Sequence, residues 1–258
     1  MKYYNGKNIW IIGASSGIGA ALARELSERG ARVAISARRE EKLKKVSDTL
    51  TGTGHVILPL DVTDDKKIDQ HIATLEDKWG HIDSVVFLAA IYSVHDGKPK
   101  DLSFIHKMLD VNIGGAFNIG QKMRAHFEDK PYGQIVLCGS IAGYRGLPQG
   151  QPYCATKAAI ISYAESLKVE VEKDKTDVKL ICPGFVETPL TDKNNFDMPF
   201  IISAEKAAKH IANGMTGRGF EIRFPWFFTM LVKSLSYLPY PLYFLIAKKM
   251  MTSTLKSF

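Results

Sequence analysis

Short apolar runs alternate along the chain with longer segments in which apolar residues recur every three or four positions. The first pattern predicts buried strands and the second predicts amphipathic helices. The runs that predict strands cover residues 8–12, 32–36, 55–60, 84–88, 134–138, 177–181 and 220–224. The helical patterns cover residues 18–28, 40–50, 66–79 and 103–127, a segment from 153 to about 172, and a segment that begins near 203. Strands that alternate with helices in this way predict an α/β fold built on a doubly wound parallel sheet.

The chain has 258 residues, of which 45% are hydrophobic, and this is enough for one sizeable core. No composition shift separates a second domain. The polar segment 92–102 is predicted to be a loop, and residues 190–200 are predicted to form a mobile flap over a cleft.

A glycine-rich stretch connects the first predicted strand to the first predicted helix, and it reads Gly13-Ala14-Ser15-Ser16-Gly17-Ile18-Gly19. Glycines in this context let the backbone approach a pyrophosphate, and the N-terminus of the helix supplies free N–H groups. A plain tight turn is the alternative for such a loop taken alone.

The ends of the second and third strands carry the next candidates for nucleotide binding. An acid at the end of the second strand would bind the ribose hydroxyls of NAD, whereas an arginine suits the 2′-phosphate of NADP. Arg38 stands there and no acid does, which favours NADP(H) over NAD(H). Asp61 and Val62 end the third strand, where Asp61 could accept a hydrogen bond from an adenine amino group. The alternatives are a solvated charge for Arg38 and a helix cap for Asp61.

A phenol, an ammonium and a hydroxyl make up the candidate chemistry. Tyr153 and Lys157 are four residues apart, which places them on one face of a helix, and Ser140 follows the fifth strand. A nearby ammonium lowers the pKa of a phenol, which can then exchange a proton with an alcohol or a developing alkoxide. An ordinary surface pair is the alternative. Asn112, followed by two glycines within a predicted helix, either bends that helix or uses its amide.

The net charge of +7 is concentrated towards the end of the chain. From residue 222 onwards there is no acid, and the basic residues are Arg223, Lys233, Lys248, Lys249 and Lys256. No nucleic-acid-binding module accompanies them, so we expect no nucleic-acid partner. Three widely spaced cysteines without a metal-ligand pattern predict reduced thiols, no metal site and a cytoplasmic protein. The first residues lack the apolar region of a secretory signal.

Residues 224–251 are the most aromatic and apolar part of the chain. Pro239 and Pro241 interrupt them, which predicts two short helices, 226–238 and 242–251, neither long enough to cross a bilayer. Two interpretations remain open. These helices pack on the substrate cleft or on a second subunit, or they lie on an anionic membrane with aromatic rings in the headgroup boundary and lysines on lipid phosphates.

Together, the glycine-rich stretch, Asn112, Ser140 thirteen residues before Tyr153, and Lys157, with Pro183-Gly184 further on, resemble the short-chain dehydrogenase/reductase family. The resemblance covers about residues 6–223. It implies a single Rossmann-type domain with a seven-stranded parallel sheet and helices on both faces. Residues 1–223 would be the catalytic domain, and residues 224–258 a helical extension that serves as a substrate lid, an oligomer contact or a membrane contact. It further implies a homo-oligomer, either a dimer or a tetramer.

The resemblance also implies roles for individual residues. Tyr153 would be the acid/base, and Lys157 would lower its pKa and hold the nicotinamide ribose. Ser140 would orient the substrate carbonyl, and Asn112 would support a water that leads protons to Lys157. The implied cofactor-binding residues are Gly13, Ser15, Ser16, Gly17, Ile18, Gly19, Arg38, Asp61, Val62, Ala89, Tyr153, Lys157, Pro183, Gly184, Val186 and Thr188.

The chain departs from the family pattern at two places. Ile12 stands where the family usually has threonine, and Phe87-Leu88-Ala89-Ala90 replaces Asn-Asn-Ala-Gly after the fourth strand. The missing polar and glycine residues normally brace the sheet near the cofactor ribose, and apolar residues can still pack these strands.

The sequence thus predicts an NADP(H)-dependent oxidoreductase that interconverts a carbonyl and an alcohol, on a hydrophobic substrate. The alternative is a dinucleotide-binding sensor or scaffold with little turnover, which loss of any of the four catalytic positions would have favoured.

Overall fold

A seven-stranded parallel sheet forms the centre of the computed structural model, which describes residues 3–93, 101–194 and 197–255. Its strands are β1 (Asn8–Ile12), β2 (Arg32–Ser36), β3 (Val56–Ile57), β4 (Ser84–Phe87), β5 (Gly133–Cys138), β6 (Thr176–Pro183) and β7 (Glu221–Phe224). Their order across the sheet is β3-β2-β1-β4-β5-β6-β7, and all neighbouring strands are parallel. The winding reverses between β1 and β4, which is where ligands bind in open parallel sheets.

Helices cover both faces of this sheet. They are α1 (Gly17–Glu28), α2 (Glu40–Ser47), α3 (Asp65–Trp79), α4 (Leu102–Leu109), α5 (Gly115–Phe127), α6 (Tyr153–Glu170), α7 (Ala204–Thr216), α8 (Trp226–Ser234) and α9 (Tyr240–Leu255). Successive side chains of a strand point to opposite faces, so Ile9 and Ile11 enter the core beneath α1 and α7. Trp10 and Ile12 enter the other core, beneath α3, α5 and α6. The predicted α/β, doubly wound, seven-stranded fold is confirmed.

The third strand is shorter than predicted. The sequence indicated residues 55–60, whereas β3 contains only Val56 and Ile57. Pro59 has no N–H to donate to a strand ladder, so pairing becomes irregular there. The backbone N–H groups of Leu58 and Leu60 still donate to β2 and to the residue after it, and this keeps Asp61 at the ligand-binding edge.

The long helix predicted for residues 103–127 is interrupted. A π-helical turn, Asp110–Gly114, separates α4 from α5, and Asn112 lies within it. The N–H of Gly115 donates to the carbonyl of Asp110, five residues earlier. A Cβ on Gly115 would lie 2.6 Å from a methyl of Val62, so glycine is required for this close approach.

The tail forms two helices, as predicted, but their bounds differ: α8 ends at Ser234 before a short 3₁₀ turn (Leu235–Tyr237), and α9 begins at Tyr240, so that Pro241 lies in its first turn, where proline is tolerated. One side of α8 is buried through Phe228, Thr229 and Val232, whereas Tyr243 is the buried apolar side chain that α9 contributes to the core. Within the described residues, no helix is long and apolar enough to span a bilayer. The division at residue 223 stays a prediction.

The two predicted irregular segments fall partly outside the described residues. Positions 94–100 of the predicted loop lie outside them, as do 195 and 196 of the predicted flap. The flap contains a 3₁₀ turn, Thr191–Lys193, and its mobility stays a prediction.

Candidate active site

A large cavity of about 1280 Å³ lies at the carboxyl edge of the sheet. Its lining includes every predicted site residue except Asn112, namely Gly13, Ser15, Ser16, Gly17, Ile18, Gly19, Arg38, Asp61, Val62, Ala89, Ser140, Tyr153, Lys157, Pro183, Gly184, Val186 and Thr188. The structure therefore brings together residues that are up to 175 positions apart in the sequence, from Gly13 to Thr188. Asn112 is fully buried behind the cavity wall.

The glycine-rich turn at one end of the cavity has no room for a side chain at Gly13 or Gly19. A Cβ on Gly19 would lie 2.3 Å from the carbonyl oxygen of Gly13, and a Cβ on Gly13 would lie 2.6 Å from the Ala89 nitrogen. Both glycines line the cavity. Ser16, the N-cap residue of α1, makes no side-chain capping hydrogen bond. The N–H groups of the first turn thus keep the arrangement that binds a pyrophosphate, and the turn fits a dinucleotide.

The cavity rim beyond β2 carries charged side chains of both signs. Arg38 is exposed there, and Asp61 and Asp110 line the same recess. Lys107 of α4 lines it too, a contribution that the sequence did not reveal because α4 is distant in the chain. The two cations can donate to a phosphate group.

Asp61 does not serve as the cap of the next helix. The N-cap of α3 is Asp64, whose carboxylate accepts from the Lys67 N–H at 3.0 Å. Asp61 accepts instead from the N–H and the hydroxyl of Thr63, at 3.1 and 2.8 Å. Its carboxylate is therefore held in place at the cavity wall, where the sequence predicted an adenine contact.

The two departures from the family pattern are accommodated by packing. Ile12 is fully buried in the core, and the Leu88 N–H donates to its carbonyl at 2.8 Å. Leu88 packs against the opposite core. The apolar segment after β4 thus continues the sheet, and its Ala89 backbone passes directly over Gly13.

The three reactive groups converge at the middle of the cavity. Tyr153 is the first residue of α6, and Lys157 lies one turn later with its ammonium 5.6 Å from the centre of the Tyr153 ring. The Ser140 hydroxyl accepts from the Ala142 N–H at 3.1 Å, and its interaction with the Tyr153 phenol lowers the pKa of Tyr153. A substrate oxygen placed against Tyr153 would therefore meet Ser140 as well.

The protonation of Tyr153 differs from the prediction. Burial raises the pKa of Tyr153 above its ordinary value, the thiols of Cys138 and Cys154 raise it further, and the Ser140 hydrogen bond lowers it. The sequence predicted a lowered pKa, and this is wrong for the structure because the phenol is buried. Lys157 directs its ammonium to the Cys138 carbonyl at 2.8 Å, and burial lowers the pKa of Lys157 itself.

Asn112 uses its amide on the backbone after β4. Its Oδ1 accepts from the Ile91 N–H at 2.8 Å, and its Nδ2 donates to the Ile91 carbonyl at 3.1 Å and to the Thr156 hydroxyl at 3.2 Å. Thr156 precedes Lys157 on α6. The role of Asn112 in a water-mediated proton path stays a prediction.

The segment after β6 forms a further part of the cavity wall, and Thr188 lies beside Gly17 of the glycine-rich turn. Gly184 donates its N–H to the Phe224 carbonyl at 2.8 Å, and Val186 pairs with Ile202 in an isolated parallel bridge. The Thr188 N–H donates to the Thr191 hydroxyl at 3.0 Å. These contacts fix the part of the cavity where the resemblance implies the nicotinamide.

The remaining wall is mostly apolar, and sequence reasoning did not assign its residues. It includes Tyr92, Leu147, Phe185, Phe228, Leu231, Val232, Leu235, Ile246, Met250 and Met251, and its polar members include Gln149, Asn194 and Asp197. The ring of Tyr92 meets that of Tyr153 edge to face at 5.0 Å. The apolar, aromatic tail was the only signal in the sequence for this wall, and it did not show which side chains face inwards.

No group of three or more histidine, cysteine or acidic side chains that could hold a metal is found in the described part of the chain. The three cysteines are buried and free.

The comparisons with known proteins place this site in a family. The family model for short chain dehydrogenases matches residues 7–199. An uncharacterized oxidoreductase of Myxococcus xanthus is 31% identical over 242 residues, which cover 93% of this chain and 96% of the relative. A 3-oxoacyl-[acyl-carrier-protein] reductase of Rickettsia prowazekii is 35% identical over 191 residues, 74% of this chain and 77% of the relative. The chain belongs to the short-chain dehydrogenase/reductase family, and it is an oxidoreductase of that family.

Solved structures show the same fold. A short chain dehydrogenase from Burkholderia cenocepacia, in complex with NADP, superposes with a TM-score of 0.79 at 22% identity and covers 90% of this chain and 94% of its own. A 3-ketoacyl-(acyl-carrier-protein) reductase from Brucella melitensis, complexed with NADH, superposes with a TM-score of 0.77 at 21% identity, over 86% of this chain and 97% of its own.

Proposed function

We propose that the protein is an NADP(H)-dependent oxidoreductase that interconverts a carbonyl and an alcohol on a hydrophobic substrate. The observation that carries this proposal is the convergence of Ser140, Tyr153 and Lys157 in one cavity whose far end is the uncapped glycine-rich turn. A proton donor and a dinucleotide-binding turn that share one cavity support hydride chemistry, because both groups must reach the same carbonyl.

Each group of site residues has its own proposed role. The turn of Gly13 to Gly19 would hold the pyrophosphate, Arg38 the 2′-phosphate, and Lys157 the nicotinamide ribose. When bound, the dinucleotide supplies or accepts the hydride. Tyr153 donates a proton to the substrate oxygen as it becomes an alkoxide, and takes the proton back in the reverse direction. The raised pKa keeps its phenol protonated at neutral pH in the protein without cofactor, and this is the form that donates a proton.

The preference for NADP(H) rests on Arg38. The end of β2 carries no acid, and Arg38 and Lys107 line the cavity there. A 2′-phosphate would find charge-assisted donors at this position, whereas the ribose hydroxyls of NAD would find no carboxylate. One solved structure of this fold is in complex with NADP and another with NADH, so the support for NADP(H) comes from Arg38 and Lys107.

The hydrophobic substrate is supported by the apolar wall. Of the side chains on the tail side of the cavity, Phe228, Leu231, Val232, Leu235 and Ile246 carry no polar atom. Transfer of apolar surface into such a wall is favourable, so binding strengthens as the apolar part of the substrate grows. The acyl reductase from Rickettsia prowazekii, a relative by sequence, is consistent with a fatty substrate.

Two further proposals concern assembly and location. Exposed apolar side chains on α4, α5 and α6 support a homo-oligomer, a dimer or a tetramer; they are Leu102, Leu109, Phe117 and Val169.

Free, buried cysteines are consistent with a cytoplasmic protein. The absence of a nucleic-acid partner stays a prediction.

A substrate panel tests the proposal. Purified protein would be given NADPH with aldehydes, short ketones, 3-oxoacyl thioesters of increasing length and polycyclic ketones, and turnover would be followed by NADPH absorbance. We expect kcat/KM to rise with apolar size, and Tyr153→Phe to reduce kcat by at least about 100-fold while NADPH still binds.

Tyr163→Phe provides the matched control for that substitution. Tyr163 lies on the same helix, and its phenol accepts from Gln121 at 3.1 Å, away from the cavity. The control should turn over like the wild type. NADPH binding without turnover of any carbonyl would instead identify a dinucleotide sensor or scaffold.

A further inference from the structure

We propose that the exposed faces of α8 and α9 dock on an anionic lipid bilayer, so that the apolar end of the cavity opens towards the membrane. The docking is argued from the tail itself. Only the entry of a lipid-borne substrate rests on the proposed carbonyl chemistry.

The first observation is that α8 is apolar on both sides. Its inner side buries Phe228 and Val232, which pack against Ile141 near the catalytic serine. Its outer side presents Trp226, Phe227, Met230 and Leu231, all exposed and one helical turn apart in pairs. A helix with apolar residues on every side is normally buried on every side. The exposed outer side of α8 is therefore expected to contact a second apolar partner.

The second observation is the extent and type of this surface. Five aromatic side chains of the tail each expose at least half of their surface, and these are Trp226, Phe227, Tyr237, Tyr240 and Phe244. Together they leave on the order of 500 Å² of ring surface in contact with water. This summed area is comparable to that of the largest apolar patch on most monomeric proteins. Tryptophan and tyrosine, with one apolar and one polar end, are the residues that favour a membrane–water boundary.

The third observation is the positive charge of this surface, which favours an anionic bilayer as its partner. The sequence from residue 222 onwards has basic residues and no acid. Lys248 and Lys249 are exposed on α9, next to the exposed Phe244 and Leu245. Two copies of such a surface would bring like charges together, which opposes a symmetric contact between them. Anionic headgroups are complementary to it.

The fourth observation connects this surface to the active site. Leu231 is exposed and also lines the cavity, and Ile246 and Met250 of α9 line it too. The guanidinium of Arg145 lies 4.7 Å from the ring of Tyr240 and 4.4 Å from that of Tyr243, which holds α9 against the segment between Ser140 and Tyr153. A docked tail therefore places the mouth of the cavity at the lipid, and a carbonyl compound dissolved in the bilayer enters without crossing water.

Vesicle flotation tests the docking directly. The full-length protein would be mixed with vesicles of phosphatidylcholine alone, or of phosphatidylcholine with phosphatidylglycerol. We expect flotation with the mixed vesicles at low salt, release at high salt, and no flotation with phosphatidylcholine alone. The double variants Trp226→Ser/Phe227→Ser and Lys248→Glu/Lys249→Glu should each weaken binding at least about tenfold.

Matched control variants test whether vesicle binding depends on the tail and not on exposed apolar or charged residues elsewhere. Val169→Ser removes an exposed apolar side chain from α6, and Lys42→Glu/Lys45→Glu reverses two exposed charges on α2. Both should float like the wild type. Retained NADPH binding shows that each variant is folded.

Two results would overturn the docking proposal. One is recovery of the wild type in the soluble fraction with both kinds of vesicle. The other is light scattering that shows a lipid-free dimer which Trp226→Ser/Phe227→Ser converts to a monomer, because a second copy would then cover this face. Flotation requires no turnover, so an inactive protein that floats refutes only the carbonyl chemistry, and an active one that does not float refutes only the docking.

Discussion

The side-chain amide of Asn112 binds both polar groups of the Ile91 backbone, accepting from its N–H at 2.8 Å and donating to its carbonyl at 3.1 Å. The chain has left β4 at this point, so the amide supplies the pairing that a neighbouring strand would otherwise give. The same amide nitrogen reaches Thr156 on α6. One buried side chain thus ties the segment beside the dinucleotide turn to the helix that carries Tyr153 and Lys157.

We expect Asn112→Ala to lower both stability and turnover. The substitution leaves the N–H and carbonyl of Ile91 without this partner, which should reduce the free energy of unfolding by about 1–3 kcal/mol. Chemical denaturation measures the loss. Asn118→Ala is the control, because Asn118 lies on the next helix and its amide makes one hydrogen bond, to the Val62 carbonyl. Equal losses of stability in the two variants would show that the pair of hydrogen bonds to Ile91 contributes no more than one hydrogen bond does.

We expect the phenol of Tyr153 to stay protonated throughout the neutral range in the protein by itself. Burial raises its pKa above the ordinary value, so the phenolate forms only at strongly alkaline pH. Ultraviolet difference titration of the wild type against Tyr153→Phe measures this group alone. A phenolate signal that rises between about pH 7 and pH 9, below the ordinary tyrosine pKa of about 10, and is missing in the variant would show that Lys157 outweighs burial after all.

We expect Arg38→Asp to weaken NADPH binding at least about tenfold and to change NADH binding much less, because a phosphate partner is replaced by a like charge. Fluorescence titration with both dinucleotides measures the change. Lys42→Asp makes the same charge change on an exposed residue of α2 that does not line the cavity, and it should leave both affinities unchanged. Equal affinity of the wild type for NADH and NADPH would refute the role given to Arg38.

We expect Glu221→Gln to destabilise the protein in a pH-dependent way. The Glu221 carboxylate accepts from Tyr144 at 2.6 Å and from Lys233 of α8 at 2.8 Å. Burial raises the pKa of Glu221, but the hydrogen bonds from Lys233 and Tyr144 lower it more, so the net direction is downwards. A lowered pKa in the folded state stabilises the protein above the unfolded pKa of about 4.3, and this stabilisation is lost as the pH falls through the folded value.

Unfolding curves from neutral to acidic pH measure this effect. The difference between wild type and Glu221→Gln should be full at neutral pH and shrink below about pH 4. Glu205→Gln serves as the control, because Glu205 is exposed and its ion pair with Arg24 is 3.7 Å long. A difference that stays constant over the whole range would mean that the charge of Glu221 does not matter.

Local patterns were enough to predict the sheet and the reactive residues. Continuous apolar runs such as residues 8–12 can hardly be anything but buried strands, and the spacing of Tyr153 and Lys157 holds on any helix. The pKa of Tyr153 was predicted in the wrong direction because burial is set by side chains far away in the sequence, such as Tyr92. The partner of Asn112 was equally out of reach, because it is a backbone group 21 residues earlier.

The tail also shows that the sequence alone does not determine which side chains are buried. Phe227 and Phe228 are adjacent and chemically identical, yet Phe227 is exposed and Phe228 is buried. The sequence offered packing on the cleft or contact with a membrane as alternatives for the whole tail. The structure shows that α8 has one side packed towards the cleft and an apolar side that is exposed, so packing on the cleft accounts for only one side of this helix.

The π-helical turn at Asp110–Gly114 places one additional residue between α4 and α5. One additional residue in a turn changes the direction of every later side chain around the helix by about 100°. Ala116, Ile119 and Met123, which α5 buries, are therefore turned by about 100° relative to Met108 of α4, compared with an unbroken helix. In this arrangement α4 lines the cavity through Phe104 and Lys107, and α5 packs in the core through Ile119 and Met123.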